Sequence, residues 1–205
     1  FKADKQGVII YDTIRWLVRS NPVKQDPPYT NLKQGINRFG DTLAVFYYLL
    51  PYKNYVYLVG DFNNWEPQED YYLNKSLNDS FFWIELRGLN PDKDYRYQLM
   101  VDAPSKVFPD PYAEMILDPW NDGFIGNAYP NLLAYPSNKT SGLVSVFRIK
   151  KEEFNWDNSI NYNPPAKENL VIYVLLVRDF LNAHSYNSIA DSIEYFKRLG
   201  INAIQ

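Results

Sequence analysis

Short runs of strict period-two alternation recur along most of this chain. A segment patterned that way buries one side of a strand and cannot bury one side of a helix. Val56 and Leu58 fall on one side of their run, Tyr57 and Val59 on the other. Phe82, Ile84 and Leu86 alternate with Trp83, Glu85 and Arg87, and Gly88-Leu89-Asn90-Pro91 ends that run. Tyr95, Tyr97, Leu99 and Val101 alternate with Arg96, Gln98 and Met100. Residues 42–50 form a dense apolar run closed by Pro51, and residues 142–149 are the last clear strand of the series. Strands at this spacing, with no helical period between them, predict an antiparallel β-sandwich over residues 35–150. Its core candidates are Val56, Leu58, Ile84, Leu86, Leu99 and Val101. Residues 110–131 break the pattern with two Asp-Pro-aromatic turns, Asp110-Pro111-Tyr112 and Asp118-Pro119-Trp120. They read as an irregular stretch that needs another surface to pack on.

The flanks read differently. Residues 7–19 are extended in pattern, with Ile14, Trp16 and Val18 alternating against Arg15, Leu17 and Arg19. Asn21-Pro22 and Asp26-Pro27-Pro28 end this run and read as a stiff linker. Residues 1–34 are therefore expected to be the tail of a preceding module plus a linker. Residues 151–168 read as a second, polar linker. Beyond it, residues 170–177 are apolar on both faces, as in a strand covered on both sides of a parallel sheet. Ser188-Ile189-Ala190-Asp191 resembles a capping box that opens a helix. Ile189, Ile193 and Phe196 recur at helical spacing with Leu199 behind them. Lys197 and Arg198 suit the last turn, and Gly200 is placed as the stop. Residues 201–204 begin another apolar strand, so residues 169–205 predict one β–α–β unit.

Composition excludes several functions. A formal net charge of -3 leaves no basic face for phosphates, so nucleic acid is not an expected partner. The single His184 excludes a multi-His metal site, and neither metal nor cofactor is expected. The chain has no Cys and therefore no disulfide or thiol chemistry. No run has the length of a membrane span. Aromatic residues reach 17 %, with 18 Tyr and 5 Trp, a richness that suits both β structure and carbohydrate contact. The chain opens Phe-Lys-Ala-Asp and stops at Gln205 inside an apolar run, and both ends read as cut from something longer.

Residues 56–65, VYLVGDFNNW, carry the candidate site. A strand leads into Gly60, where the backbone can bend, and then into Asp61, Asn63 and Asn64, whose side chains can bond their own backbone. Trp65 stands at the exit. One reading is a strand, a turn and a half-buried core indole. The other is a sugar-facing platform, with Trp65 stacking on a pyranose and Asn63 and Asn64 bonding its rim.

VYLVGDFNNW, YRYQLMVD, DPYAEMILDPWND and LVIYVLLVRDF followed by HSYNSIADSIEYFKRLGINAIQ together resemble glycoside hydrolase family 13, the α-amylase family. The likeness is to multidomain enzymes of Bacteroidetes type and covers residues 35–205. It implies a family-48-like carbohydrate-binding module, an Ig-like early-set sandwich, followed by the start of a truncated (β/α)8 catalytic barrel. Residues 7–22 would close an Ig-like module before it. The implied parent reaction is retaining hydrolysis of α-glucosidic bonds by two carboxylates. The implied partners are an α-glucan and the remainder of the barrel, and the implied location is the outside or cell envelope of a bacterium. The catalytic carboxylates come from later barrel strands, so no catalytic residue is expected here, and Asp179 reads as structural. Relatives carry a glutamate where this chain has Val174 and another where it has Gln205, which keeps open a non-catalytic glucan-binding or structural module of an inactive relative. Relatives that bind glycogen also carry a second Trp after the turn at Val101-Asp102. This chain reads Ala103-Pro104-Ser105-Lys106-Val107 there, so Trp65 is its single expected platform.

Overall fold

The computed structural model describes residues 2–5, 8–11, 20–126, 129–151, 155 and 162–205. The alternation expected around Ile14, Trp16 and Val18 lies outside the described residues. Two compact units divide the chain: residues 1–120 with 134–151, and residues 121–133 with 152–205.

In the first unit, β1 (Lys2–Lys5) and β2 (Val8–Tyr11) form an antiparallel pair. Then come β3 (Gly35–Phe39), β4 (Leu43–Leu49), β5 (Val56–Gly60), β6 (Asn74–Lys75), β7 (Phe81–Leu86), β8 (Tyr95–Val101), β9 (Val107–Phe108), β10 (Met115–Leu117) and β11 (Val144–Phe147). One sheet runs β3-β4-β7-β6 and the other β10-β11-β8-β5, with β9 also on β8. Every pairing in them is antiparallel. The fold is mainly β, as the alternation predicts.

The two sheets meet face to face. Phe46 and Tyr48 of β4, Ile84 and Leu86 of β7, Leu58 of β5, and Tyr97 and Leu99 of β8 share one core. All six core candidates are buried. Phe46 presents its edge to the rings of Tyr97 and Phe147 at 5.4 and 5.2 Å, the arrangement that ring quadrupoles favour. The other side of β5 is not solvent either. Tyr57, Val59, Tyr55 and Met100 form a second, smaller core, capped by Tyr72 stacked on Tyr57 at 4.4 Å. Alternation along β5 thus separates two cores rather than core from water.

Residues 20–33, expected as a linker, dock on the sandwich. Lys24 bridges Lys75 in parallel, Gln25 N–H donates to Lys75 O at 2.9 Å, and Lys75 N–H donates to Val23 O at 2.8 Å. Trp83 Nε1 donates to Gln25 O at 2.8 Å. Proline is compatible with this because the segment lies at a sheet edge, where only some backbone donors are needed. Asp110-Pro111-Tyr112 also differs from expectation, for it packs inside its own unit: Asp110 is 1 % exposed. The second such turn matches its pattern, with Trp120 N–H on Asp118 Oδ1 at 2.9 Å and the indole exposed.

In the second unit, β12 (Ile172–Tyr173) and β13 (Ala203–Ile204) pair in parallel around the helices α1 (Val177–Phe180), α2 (Tyr186–Asp191) and α3 (Ile193–Arg198). The expected β–α–β order is present. Its helix starts earlier than expected, because Ser185 rather than Ser188 is the N-cap: Ser185 Oγ accepts the Ser188 N–H at 3.3 Å. Gly200, at φ +76°, stops α3 as its placement predicts, with Gly200 N–H on Lys197 O and Ile201 N–H on Phe196 O. Phe196 and Ile189 are buried, and Phe196 packs on Phe180 and Tyr173. Ile193 is 39 % exposed, since Ser192 leaves helical geometry and interrupts the shared face. The doubly covered strand expected over residues 170–177 is a two-residue strand, with Val174 71 % exposed and Leu176 57 %. Among the described residues β13 is its one neighbour, so one edge and much of its surface lack a covering element.

Candidate functional site

The turn after β5 is built by close approach. A Cβ on Gly60 would stand 2.4 Å from the Arg96 carbonyl oxygen, so only glycine lets β5 reach β8 there. Asn63 then closes the turn from inside. Its Oδ1 accepts the Gly60 N–H at 2.8 Å and its Nδ2 donates to Leu58 O at 2.8 Å. Trp65 N–H donates to Gly60 O at 2.9 Å. Asn64 and Trp65 both hold left-handed backbone, at φ 55° and 65°. Asn tolerates that region, whereas a Trp there must be held by its surroundings.

Asp61 supplies the hold. Its Oδ1 accepts Trp65 Nε1 at 3.2 Å and one Arg96 guanidinium nitrogen at 3.0 Å. Its Oδ2 accepts Arg96 Nε at 2.9 Å and the Arg96 backbone N–H at 3.0 Å. Burial alone pushes the Asp61 carboxyl up; the hydrogen bonds and charge of Arg96, helped by the indole N–H, outweigh it and hold it below the usual carboxylate range. Arg96 Nη1 in turn donates to Ala134 O at 2.7 Å. The loop beyond Ala134 is pinned at its far end by Gln98, buried in mid-strand, whose amide donates to Leu143 O at 2.7 Å and Ser141 O at 2.9 Å. Lys139 Nζ reaches back to Asn64 Oδ1 at 2.8 Å.

These contacts enclose an open depression of about 310 Å³ between Asp61, Asn64, Trp65 and Arg96 on one side and residues 135–139 on the other. That volume is at the small end of the range for ligand sites, enough for a few sugar rings at most. Its lining is the rings of Trp65, Tyr135 and Pro136, two asparagine amides, a serine hydroxyl and an ammonium, beside a carboxylate already neutralised by Arg96. It contains no second carboxylate, so it has no acid–base pair for glycoside hydrolysis. An indole beside amide, hydroxyl and ammonium donors can stack on an apolar face and hydrogen-bond polar groups at its rim.

Of the three residues expected at the site, Trp65 and Asn64 line the depression. Asn63 does not: it is 3 % exposed, and its amide oxygen and nitrogen are spent on the backbone of the turn. Arg96 and Lys139 are additions. Arg96 is legible only as the outward residue of an alternating strand, and the strand register alone puts it beside Asp61. The loop at 135–139 has no local signal beyond its Pro-Ser-Asn turn residues. Just before the stretch where relatives carry the second Trp, Asp102 Oδ1 accepts the N–H groups of Asn54 and Tyr55 at 2.8 and 3.2 Å, a structural task. In the second unit, Asp179 is exposed and pairs with Arg178, while His184 Nδ1 meets the Arg178 carbonyl. Among the described residues no cluster of His, Asp and Glu could hold a metal ion, and no helix is long and apolar enough to cross a membrane.

No family model matches the chain. Isoamylase 1, chloroplastic, of Arabidopsis thaliana is 26 % identical over 143 residues, which cover 65 % of this chain and 16 % of that protein. The 1,4-alpha-glucan branching enzyme GlgB of Fusobacterium nucleatum is 31 % identical over 71 residues, 34 % of this chain and 12 % of that protein. Two solved pullulanases are similar over 74 % of this chain. That from Bacillus acidopullulyticus has a TM-score of 0.44 at 20 % identity and is covered over 16 % of its length. That from Paenibacillus barengoltzii, a mutant complexed with maltotriose, has a TM-score of 0.43 at 16 % identity and is covered over 20 %. The chain thus spans less than a fifth of either sequence relative. Both relatives are members of the α-amylase family.

Proposed function

We propose that this chain is the accessory sandwich and barrel start of an enzyme acting on α-glucans. On this reading residues 35–150 are a carbohydrate-binding module and residues 169–205 begin the catalytic barrel. The observation that carries the reading is sequence kinship over 65 % of the chain with an isoamylase, joined by kinship with a 1,4-alpha-glucan branching enzyme. The sandwich contacts glucan weakly, through Trp65 with Asn64 and Lys139 beside it. The chain itself hydrolyses nothing. Hydrolysis needs two carboxylates at fixed separation on a closed barrel, and among its described residues the second unit offers a two-stranded parallel sheet with Asp179 tied to Arg178.

The test has two arms. Purified chain incubated with starch or a chromogenic maltoside is expected to give no turnover; turnover that survives removal of contaminating amylase refutes the non-catalytic assignment. Affinity electrophoresis through maltoheptaose or glycogen is expected to retard the wild type and not Trp65→Ala. Equal retardation of both would remove Trp65 from the site. A wild type that runs unretarded leaves the module purely structural, the alternative favoured by there being one platform rather than two.

A further inference from the structure

Asp61 joins both walls of the depression. Its carboxylate is 12 % exposed as a side chain and accepts four hydrogen bonds, one from the Trp65 indole and three from Arg96. Through Arg96 Nη1 the same network reaches the carbonyl of Ala134, where the opposite wall begins. The indole of Trp65 stands on left-handed backbone next to a second left-handed residue, a conformation that its surroundings must hold. We propose that Asp61 is the positioning residue of the glucan contact: its carboxylate sets the plane of Trp65 and, through Arg96, the spacing between Trp65 and residues 135–139.

The proposal rests on reading the depression as a glucan contact. Its physical basis is preorganisation. A stacking ring that must be ordered on binding loses affinity by the cost of that ordering, and a ring locked beforehand does not. An amide in place of the carboxylate keeps one acceptor oxygen and loses the charge. It cannot serve the indole and both guanidinium nitrogens together.

Asp61→Asn in ¹⁵N-labelled protein provides the test. The five Trp give five indole N–H resonances, and Trp65→Phe identifies the one from Trp65. In Asp61→Asn that resonance is expected to move, the other indoles are expected to stay, and maltoheptaose binding is expected to weaken about tenfold with Trp65 still present. Should Asp61→Asn not fold, Asp61→Glu, which keeps the charge but shifts it by one methylene, is expected to show the same two changes in milder form. An unmoved Trp65 resonance, or unchanged retention beside a retarded wild type, overturns the proposal alone. A wild type that no α-glucan retards overturns the glucan reading and the proposal with it.

Discussion

The hydroxyl of Tyr48 donates to Oδ2 of Asp110 at 2.8 Å in the interior of the sandwich. Tyr97, on the facing sheet, donates to the same oxygen at 2.6 Å. The other carboxylate oxygen accepts Tyr112 N–H, and Asp110 N–H is satisfied by Ser145 Oγ, each at 2.7 Å. One buried carboxylate therefore ties strands of both sheets to the connection that follows β9. Asp110→Ala leaves two buried phenol hydroxyls without acceptors and is expected to cost about 2–5 kcal/mol. Tyr48→Phe leaves the Tyr97 bond in place and is expected to cost less, about 1.5–3 kcal/mol. Urea unfolding at unchanged slope measures both, and an Asp110→Ala protein as stable as the wild type would refute the tie.

The same cluster makes the fold sensitive to alkali. Burial, followed by the negative charge that Tyr97 and then Asp110 place beside it, holds the Tyr48 phenol well above its ordinary value. Burial and Asp110 do the same for Tyr97, against smaller opposing effects of Tyr48 and Arg38. Both folded values are raised, so the stability they contribute is present below the unfolded phenol value of about 10 and is lost as pH rises beyond it. In an alkaline titration these two phenols are expected to ionise only as the near-ultraviolet circular dichroism collapses. Reversible ionisation of every tyrosine with that signal intact would contradict the cluster.

Asp61 gives the opposite sign. Its folded value is depressed, because the bonds and charge of Arg96 outweigh burial. Stability from Asp61 is present above the unfolded carboxylate value of about 3.9 and is lost as pH falls through the lower folded value. Asp61→Asn is expected to melt below the wild type at neutral pH and to match it only at pH below that of a free carboxylate. Melting curves that differ equally at all pH values would assign the loss to packing rather than charge.

What was legible in the sequence is what period two encodes. The inward positions of β5, β7 and β8 follow from alternation alone, because each strand's burial is a local pattern. The role of Asp110 is not local. Its phenol partners lie 62 and 13 residues away, and an Asp-Pro turn in isolation reads as exposed. The site divides the same way. Trp65 and Asn64 follow from a turn that must present something large, but nothing local tells which asparagine faces inward. Asn63 does, since its offset lets one amide span Leu58 O and Gly60 N–H. Arg96 and Lys139 arrive from other segments, and only the register of β8 on β5 and the course of a loop bring them in.

Gly35 opens β3 at φ +92°, and a Cβ there would stand 2.6 Å from the Cβ of Tyr112. Gly40 also has positive φ, at +63°, but has open space where a Cβ would go. Alanine at both sites incurs the left-handed cost of about 1–2 kcal/mol. Gly35→Ala adds crowding against a ring in the Asp110 turn and is expected to be worse by about a further 1–3 kcal/mol. Comparing the two variants by thermal unfolding separates backbone cost from crowding. Equal losses would mean that Tyr112 moves aside freely.

Hydrogen exchange is expected to divide the chain between its two kinds of strand. β8 is bonded to β5 on one side and to β11 and β9 on the other, and its inward side chains lie in the main core. Its amides open only with the sandwich, so their protection should approach that of global unfolding. β12 is bonded to β13 alone among the described residues, through contacts such as Ala203 N–H on Val171 O at 3.2 Å and Gln205 N–H on Tyr173 O at 3.0 Å. Tyr173 joins Phe180 and Phe196, but Ile172 beside it is 52 % exposed. Few buried apolar contacts and an open edge make a segment that opens locally at low cost. Residues 171–176 are therefore expected to exchange orders of magnitude faster than residues 95–101 in the same monomeric sample. Fast exchange that slows with rising protein concentration would show the open edge pairing between molecules. Protection of residues 171–176 equal to that of β8 in a monomer would mean that the second unit is as firmly built as the sandwich.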